Sequence, residues 1–400
     1  MHTVALTHLM VVLLSPVAPP GTPAAGSVPP PLPTTVETVD QSAAGDETAF
    51  APPPDAALVA DRLYVGIERP VLLRVEGLPE DLAWSLSIQE VDGREIFRVD
   101  DLIVREFDLA ALCPSIWTVG QSVFAQIVVE DVPRGSSLVI QPLRTRSAVR
   151  TGEALRPDGR TPYTRIIGWG SDLLEPDNPD YVKLKESWKP GEPMVMSGLR
   201  LYPERDVALE TSHGGLRIAL RPDEAPNTAW NFRHLVESGF YEATVFHRIV
   251  PFDRQGQPFV IQGGDPTATG DGGPGWDLPI ERSRLPHDFG VVSMARGDMP
   301  DTAGSQFFIA LSRAGTARLD TQYCAFGEVV EGAEAIASMA ELETADQTTG
   351  RPVEPPSLLS ARLVAAPPRE PGVGRPDRRV QPIRAGPKEP EATESGHMPR

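Results

Sequence analysis

Three short segments set polar side chains inside otherwise apolar runs. They are Phe246 to Ile249 (FHRI), Phe259 to Asp265 (FVIQGGD) and Gly304 to Ile309 (GSQFFI). Arg248, Gln262 and Gln306 are the polar residues that could do chemistry there. A guanidinium keeps its charge at any physiological pH and presents a rigid fork of donors, and an amide both donates and accepts. Such a set can grip and polarise a carbonyl, but it offers neither a nucleophile nor an acid–base pair. The plainer alternative is that Arg248 and Gln262 sit on the solvent face of strands that alternate inward and outward.

Other patterns carry less. The run from Gly270 to Gly275 fits G-x-G-x-x-G, but Pro274 lies inside it and no helix follows, so dinucleotide binding is not expected. The seven histidines include no H-E-x-x-H and the chain has no C-x-x-C, so no metal site and no cofactor are expected. Ser305 does not sit in a nucleophile elbow, and His234 reads as a surface or boundary residue. Cys113 and Cys324 fall in different parts of the chain, so no structural disulfide is expected. The net charge of −18 argues against nucleic acid and anionic membranes as partners.

Apolar residues make up 40% and charged residues 23% of the 400, enough for two or three packed domains. Leu9 to Val17 is a short apolar run followed by small residues, read as a signal peptide over 1–26 and export to a periplasm or cell envelope. Against that reading, no Lys or Arg precedes the run, and the alternative is a disordered leader in a cytoplasmic protein. Residues 27–56 read as a proline-rich linker. Residues 57–150 carry strand-like runs, including Leu86 to Val91 and Arg94 to Val99 around Asp92-Gly93, a type I′ hairpin signal. They predict a small antiparallel, sandwich-like β domain with Trp84 and Trp117 in its core and no function of its own legible. Residues 151–204 read as an irregular connector with slight helical propensity at Lys183 to Trp188, and 366–400 as a disordered charged tail.

Between them, 205–365 alternates strand-like runs with two helical stretches. Ala229, Phe232, Leu235 and Val236 share one helical face and Gly239 suits its end. A second helix is expected at Ala333 to Ala340, and the many strands around it predict a closed barrel.

Taken in order, FHRI, QGGD and GSQFFI make residues 206–364 resemble the cyclophilin family of peptidyl-prolyl cis–trans isomerases. The resemblance implies a mainly β fold, an eight-stranded antiparallel barrel capped by two helices, with the active groove on its outside. It implies proline-containing polypeptides as substrates, no cofactor and a monomer without stable membrane insertion. It assigns Arg248 to the prolyl peptide unit and Gln262 to holding that arginine, as the catalytic pair. Phe259, Val260, Phe308 and Leu319 match the proline pocket; Ala295, Arg296 and Gly297 match the segment that pairs with residues before the proline. Gln306 flanks that segment, and Gly270 borders the groove.

The chain departs from the familiar eukaryotic pattern at the rim. Tyr323 stands for a histidine and Arg296 for an asparagine, both similar to bacterial members. Val260 stands for a methionine. Arg318 replaces a tryptophan used to bind cyclosporin, which implies weak binding of that ligand. Phe252 to Gln257 lengthens a loop beside the groove. The expected role is assistance to protein folding; the alternative is a proline-peptide-binding or chaperone module with incidental turnover.

Overall fold

The computed structural model describes residues 56–146, 149–155, 160, 162–169, 194–346 and 348–383. The expected signal peptide, almost all of the linker and the helical propensity near Lys183 lie outside them. So does the tail beyond 383.

Two sheets build the core of the first half. The six-stranded one runs, in spatial order, Tyr64–Gly66, Met194–Pro203, Val132–Arg146, Val123–Val129, Trp84–Gln89 and Glu95–Leu102. The three-stranded one joins Ala57–Ala60, Leu72–Glu76 and Glu106–Asp108. Leu58, Leu73 and Val75 of the small sheet share one buried cluster with Trp84, Leu86, Ile88 and Ile127 of the large one, which makes a sandwich. Trp84 is buried, and its indole N–H donates to the Val104 carbonyl at 3.1 Å, satisfying the ring's one polar atom. Every residue of Val123–Val129 is buried, so both faces of that strand are covered. Its second face contributes Phe124, which with Val139 and Tyr202 meets Trp230 of the other half.

Three expectations need correction here. The Asp92-Gly93 hairpin forms, but only Gly93 takes positive φ, at +86°, so the turn is not type I′. Gly93 N–H donates to Glu90 and the register shifts by one residue beside it, the pattern of a bulged turn. The stretch 151–204 is not simply a connector. Pro162–Trp169 pairs with Val149–Leu155, and Met194–Pro203 is an interior strand of the six-stranded sheet. Its alternation is broken by a register shift between Met196 and Gly198, which hid it from a period-two reading.

The tail is the third correction. Residues 366–383 form no helix or strand, yet they cross both halves of the molecule. Ser136 Oγ donates to the Ala366 carbonyl, Arg369 pairs with Glu204 at 2.7 Å, and Arg375 N–H donates to Val91. Further on, Arg379 pairs with Asp288 at 3.1 Å and Val380 N–H donates to Val329. A Pro-, Arg- and Gly-rich composition resembles disorder; here its arginines are ordered by carboxylates fixed on other elements.

The second half is an eight-stranded antiparallel sheet. Its order is Arg248–Phe252, Pro258–Gly263, Phe307–Ala310, Val291–Met294, Ala325–Glu331, Gly214–Leu220, Arg205–Thr211 and Leu358–Ala365. The sheet curls until its ends approach. No regular ladder closes the seam; a bridge between Val245 and Ser357 and the bonds Phe246 N–H to Pro356 and Leu358 N–H to Thr244 do so. Helix Pro226–Glu237 begins with proline at its first turn, where no N–H is missed. It buries Ala229, Phe232, Leu235 and Val236 on the barrel interior, and Ala333–Ala340 buries Ile336 and Met339. Inside, Phe232 meets Tyr241, Phe307 and Phe326 with ring centres 4.9–5.3 Å apart.

Candidate active site

The residues singled out from the three motifs lie on the outer face of this barrel because their strands alternate. Ile249, Ile261 and Ile309 point into the core, while Arg248, Gln262 and Phe308 share the opposite face. Antiparallel pairing sets Arg248 opposite Gln262, and Gln262 opposite Phe308. The three motifs, distant in sequence, therefore meet as one row.

Their side chains form a relay. Arg248 Nη1 donates to Gln262 Oε1 at 3.1 Å, and Gln262 Nε2 donates to Gln306 Oε1 at 3.0 Å. Gln306 Nε2 donates in turn to the carbonyls of Gly270 and Gly272, at 2.8 and 2.9 Å. Each amide is thereby fixed in orientation, and only one Arg248 nitrogen is engaged. Burial lowers the Arg248 pKa, with Tyr323 opposing; an arginine nonetheless stays charged.

Arg248 borders a cavity of about 230 Å³. Phe259, Val260, Gln262, Ala295, Arg296, Phe308, Leu319 and Tyr323 line the rest of it. A second cavity of about 550 Å³ adjoins it through Gln262, Ala295 and Arg296, and Gly270, Gly297 and Gln306 border that one. All twelve residues singled out from the sequence thus fall on two contiguous hollows. Ala295 N–H donates to the Gln306 carbonyl, and Gly297 N–H to Thr302 Oγ1.

Several contributors escaped the sequence reading. His287 stacks on Phe308, with planes 16° apart and centres at 5.8 Å. Its ring is buried, bonded to Asp320 Oδ1 and Ser293 Oγ, both at 3.0 Å, and burial lowers its pKa despite Asp320. It backs Phe308, an aromatic wall of the 230 Å³ cavity. Asp265 is fully buried and accepts from the Thr267, Gly270 and Gly272 amides and the Thr267 hydroxyl. Burial disfavours its charge, but these donors outweigh it and hold the pKa below the ordinary value. Asp265 so fixes the loop whose carbonyls hold Gln306. A Cβ on Gly272 would lie 2.0 Å from Asp265 Oδ1, so no side chain fits there. The signal for Asp265 was present in QGGD; His287 lies in an irregular stretch with no local pattern to mark it. His247, beside Arg248, is buried with neither ring nitrogen bonded. Among the described residues no cluster of three His, Cys, Asp or Glu could hold a metal.

Known proteins resemble this half of the chain. The sequence model of the family described as "Cyclophilin type peptidyl-prolyl cis-trans isomerase/CLD" matches residues 206–363. A peptidyl-prolyl cis-trans isomerase-like 1 from Gibberella zeae is 38% identical over 164 residues, which cover 40% of this chain and 94% of that protein. The chain belongs to the cyclophilin family. The isomerase ppi1 of Schizosaccharomyces pombe is likewise 38% identical, over 97% of its length and 39% of this chain. A Cryptosporidium parvum cyclophilin structure is 30% identical, with a TM-score of 0.37 over 41% of this chain and 99% of that one. The family match falls on the eight-stranded barrel.

Proposed function

We propose that the chain accelerates cis–trans rotation of X-Pro peptide bonds, with Arg248 as the residue that touches the reacting amide. It is a peptidyl-prolyl isomerase acting on proline-containing polypeptides. The observation that carries the assignment of roles is the Arg248–Gln262–Gln306 relay beside an apolar pocket.

Rotation breaks the conjugation of the amide against a barrier of roughly 18–20 kcal/mol. No covalent bond is made or broken and no proton needs to leave. The site must hold the proline ring, hold one flank of the chain, and favour the twisted amide over the planar one. Val260 and Phe308, both buried, with Phe259 and Leu319, form a pocket for the ring. Arg248 lies at its edge with donors to spare. A guanidinium aimed at the prolyl unit bonds the carbonyl oxygen and can reach toward the nitrogen as its lone pair localises. That contact strengthens as conjugation is lost, so it lowers the barrier instead of merely tightening binding. Partial burial makes it stronger than it would be in open water. Gln262 prevents the guanidinium from swinging away, and Gln306 and Asp265 prevent Gln262 from doing so.

A pure binding module would need the pocket but not a charged, held donor at the amide. Exchange between the cis and trans NMR signals of an Ala-Pro peptide tests the reading. Catalytic amounts of protein should speed the exchange well above background; no acceleration would leave only the proline-binding alternative.

A further inference from the structure

A third and larger cavity, of about 1060 Å³, lies where the six-stranded sheet meets the barrel. Gly120, Arg144 and Ser197 line it from the sheet side, and Trp230, Leu278 and Arg282 from the barrel side. It shares one wall, Trp276, with the 550 Å³ cavity that adjoins the proline pocket. Trp276 is 47% exposed yet fixed. Its indole N–H donates to Asn231 Oδ1 at 2.9 Å, and Asn231 Nδ2 donates to the Gly304 carbonyl at 3.0 Å. The three hollows therefore run on from Arg248 across a held aromatic plate to the first half of the molecule.

The charges along this groove are unequal. In the third cavity Asp223 pairs with Arg221 at 2.7 Å and Glu224 with Arg284, while Glu281 accepts from the Asn227 and Thr228 amides without a cation; Asp271 and Asp277 line the middle hollow. Arg144 and Arg282 make no ion pair among the described residues, and Arg144 donates only to the Val119 carbonyl, at 3.4 Å. In a chain of net charge −18, the third cavity thus sets Arg144, Arg200 and Arg282, without ion pairs among the described residues, against Glu281 alone, beside Trp230, Leu278 and Ile280.

We propose that this groove extends the isomerase cleft and binds an extended stretch of substrate polypeptide flanking the proline, with acidic side chains facing Arg144 and Arg282. The first half of the molecule would then select substrates that the barrel turns over. This rests on the isomerase reading above. An extended chain suits the site because its side chains alternate between the two walls while its backbone groups stay available for bonding.

The test blocks the groove from the sheet side. A Cβ built on Gly120 meets only Arg144 Nη2, at 3.7 Å, so Gly120→Trp fits its backbone and fills the groove. Ser197, exposed on the strand Met194–Pro203, gives an independent block as Ser197→Trp. Each protein is assayed on an Ala-Pro tetrapeptide and on a long peptide with one proline and Asp and Glu in both flanks. Wild-type kcat/KM should favour the long peptide by about fivefold or more, and Lys in place of the acids should abolish the gain. Both variants should lose the gain and keep wild-type turnover of the tetrapeptide. Equal wild-type rates on the two peptides, or an undiminished gain in both variants, would overturn the proposal. A variant that loses tetrapeptide turnover has misfolded, and the other one decides. If wild type turns over neither peptide, the isomerase reading falls and fluorescence anisotropy of the labelled long peptide judges the groove. Weaker binding in both variants then supports it, and unchanged binding rejects it.

Discussion

The guanidinium of Arg318 lies 4.4 Å from the centre of the Phe259 ring. The same guanidinium pairs with Asp253 at 2.9 Å, in the loop lengthened by Phe252 to Gln257. Two departures from the familiar cyclophilin pattern are thus one feature: the longer loop supplies the carboxylate that holds Arg318 over the ring of Phe259, which lines the cavity beside Arg248. Arg296 does likewise at the other rim, 4.7 Å from the Tyr323 ring.

This arrangement replaces an apolar rim with a charged one, so cyclosporin should bind weakly. Arg318→Trp should tighten it by at least ~10-fold, about 1.4 kcal/mol, as read by isothermal calorimetry. Unchanged affinity in the variant would show that Arg318 is not what excludes the ligand.

Gln262 acts by orienting Arg248, so its replacements should separate catalysis from binding. Gln262→Ala should lower kcat about 10-fold with little change in KM, since ~1.4 kcal/mol matches the loss of one charge-assisted bond. Gln262→Glu should be at least as damaging. Its carboxylate would draw the guanidinium from the substrate and face Gln306 Oε1, whose own amide nitrogen is taken by Gly270 and Gly272. Both effects are measurable in steady-state assays on one peptide series. A KM effect alone would reassign Gln262 to binding.

Stability should fall on mild acidification. The pKa values of His247 and His287 are lowered from 6.5, chiefly by burial. A depressed folded value means the unfolded chain takes up the proton first. Their contribution is therefore complete above about pH 6.5 and is lost as the pH falls through the folded values. Asp265, Asp320, Asp223 and Glu204 are also depressed, their bonds and ion pairs outweighing burial, so the loss continues through the carboxylate range. Urea midpoints between pH 7.5 and 5 should drop, and a His247→Gln, His287→Gln double variant should drop less. Parallel curves for both proteins would contradict this.

The segment 366–383 should matter to stability in spite of its composition. Arg369 pairs with Glu204, both side chains nearly buried, and its guanidinium also lies over the Phe124 ring. Arg369→Met would strand the Glu204 carboxylate and should cost roughly 3 kcal/mol in urea unfolding. Adding Glu204→Gln should recover much of that. A single variant as stable as wild type would show that the segment does not hold the two halves.

How much of this was legible in the sequence follows the range of the interactions. FHRI, QGGD and GSQFFI are local signals, and strand alternation alone sends Arg248, Gln262 and Phe308 to one face. The Asp92-Gly93 hairpin and both main helices were legible for the same reason. Met194–Pro203 was not, because its partners Val132–Arg146 lie some fifty residues earlier and a bulge breaks its alternation. The order of residues 366–383 depends on Glu204, Asp288 and Val91, which no window of the sequence reveals. His287 and Trp276 earn their places only through Phe308 and Asn231, across the fold.

Arg248 is the centre of the account, and Arg248→Ala tests it most directly. Isomerisation of an Ala-Pro peptide should fall in kcat/KM by ~10-fold or more, at least ~1.4 kcal/mol of transition-state stabilisation. Arg248→Lys should restore little, because a point charge does not reproduce the fork. Wild-type rates in a folded Arg248→Ala protein would contradict the account.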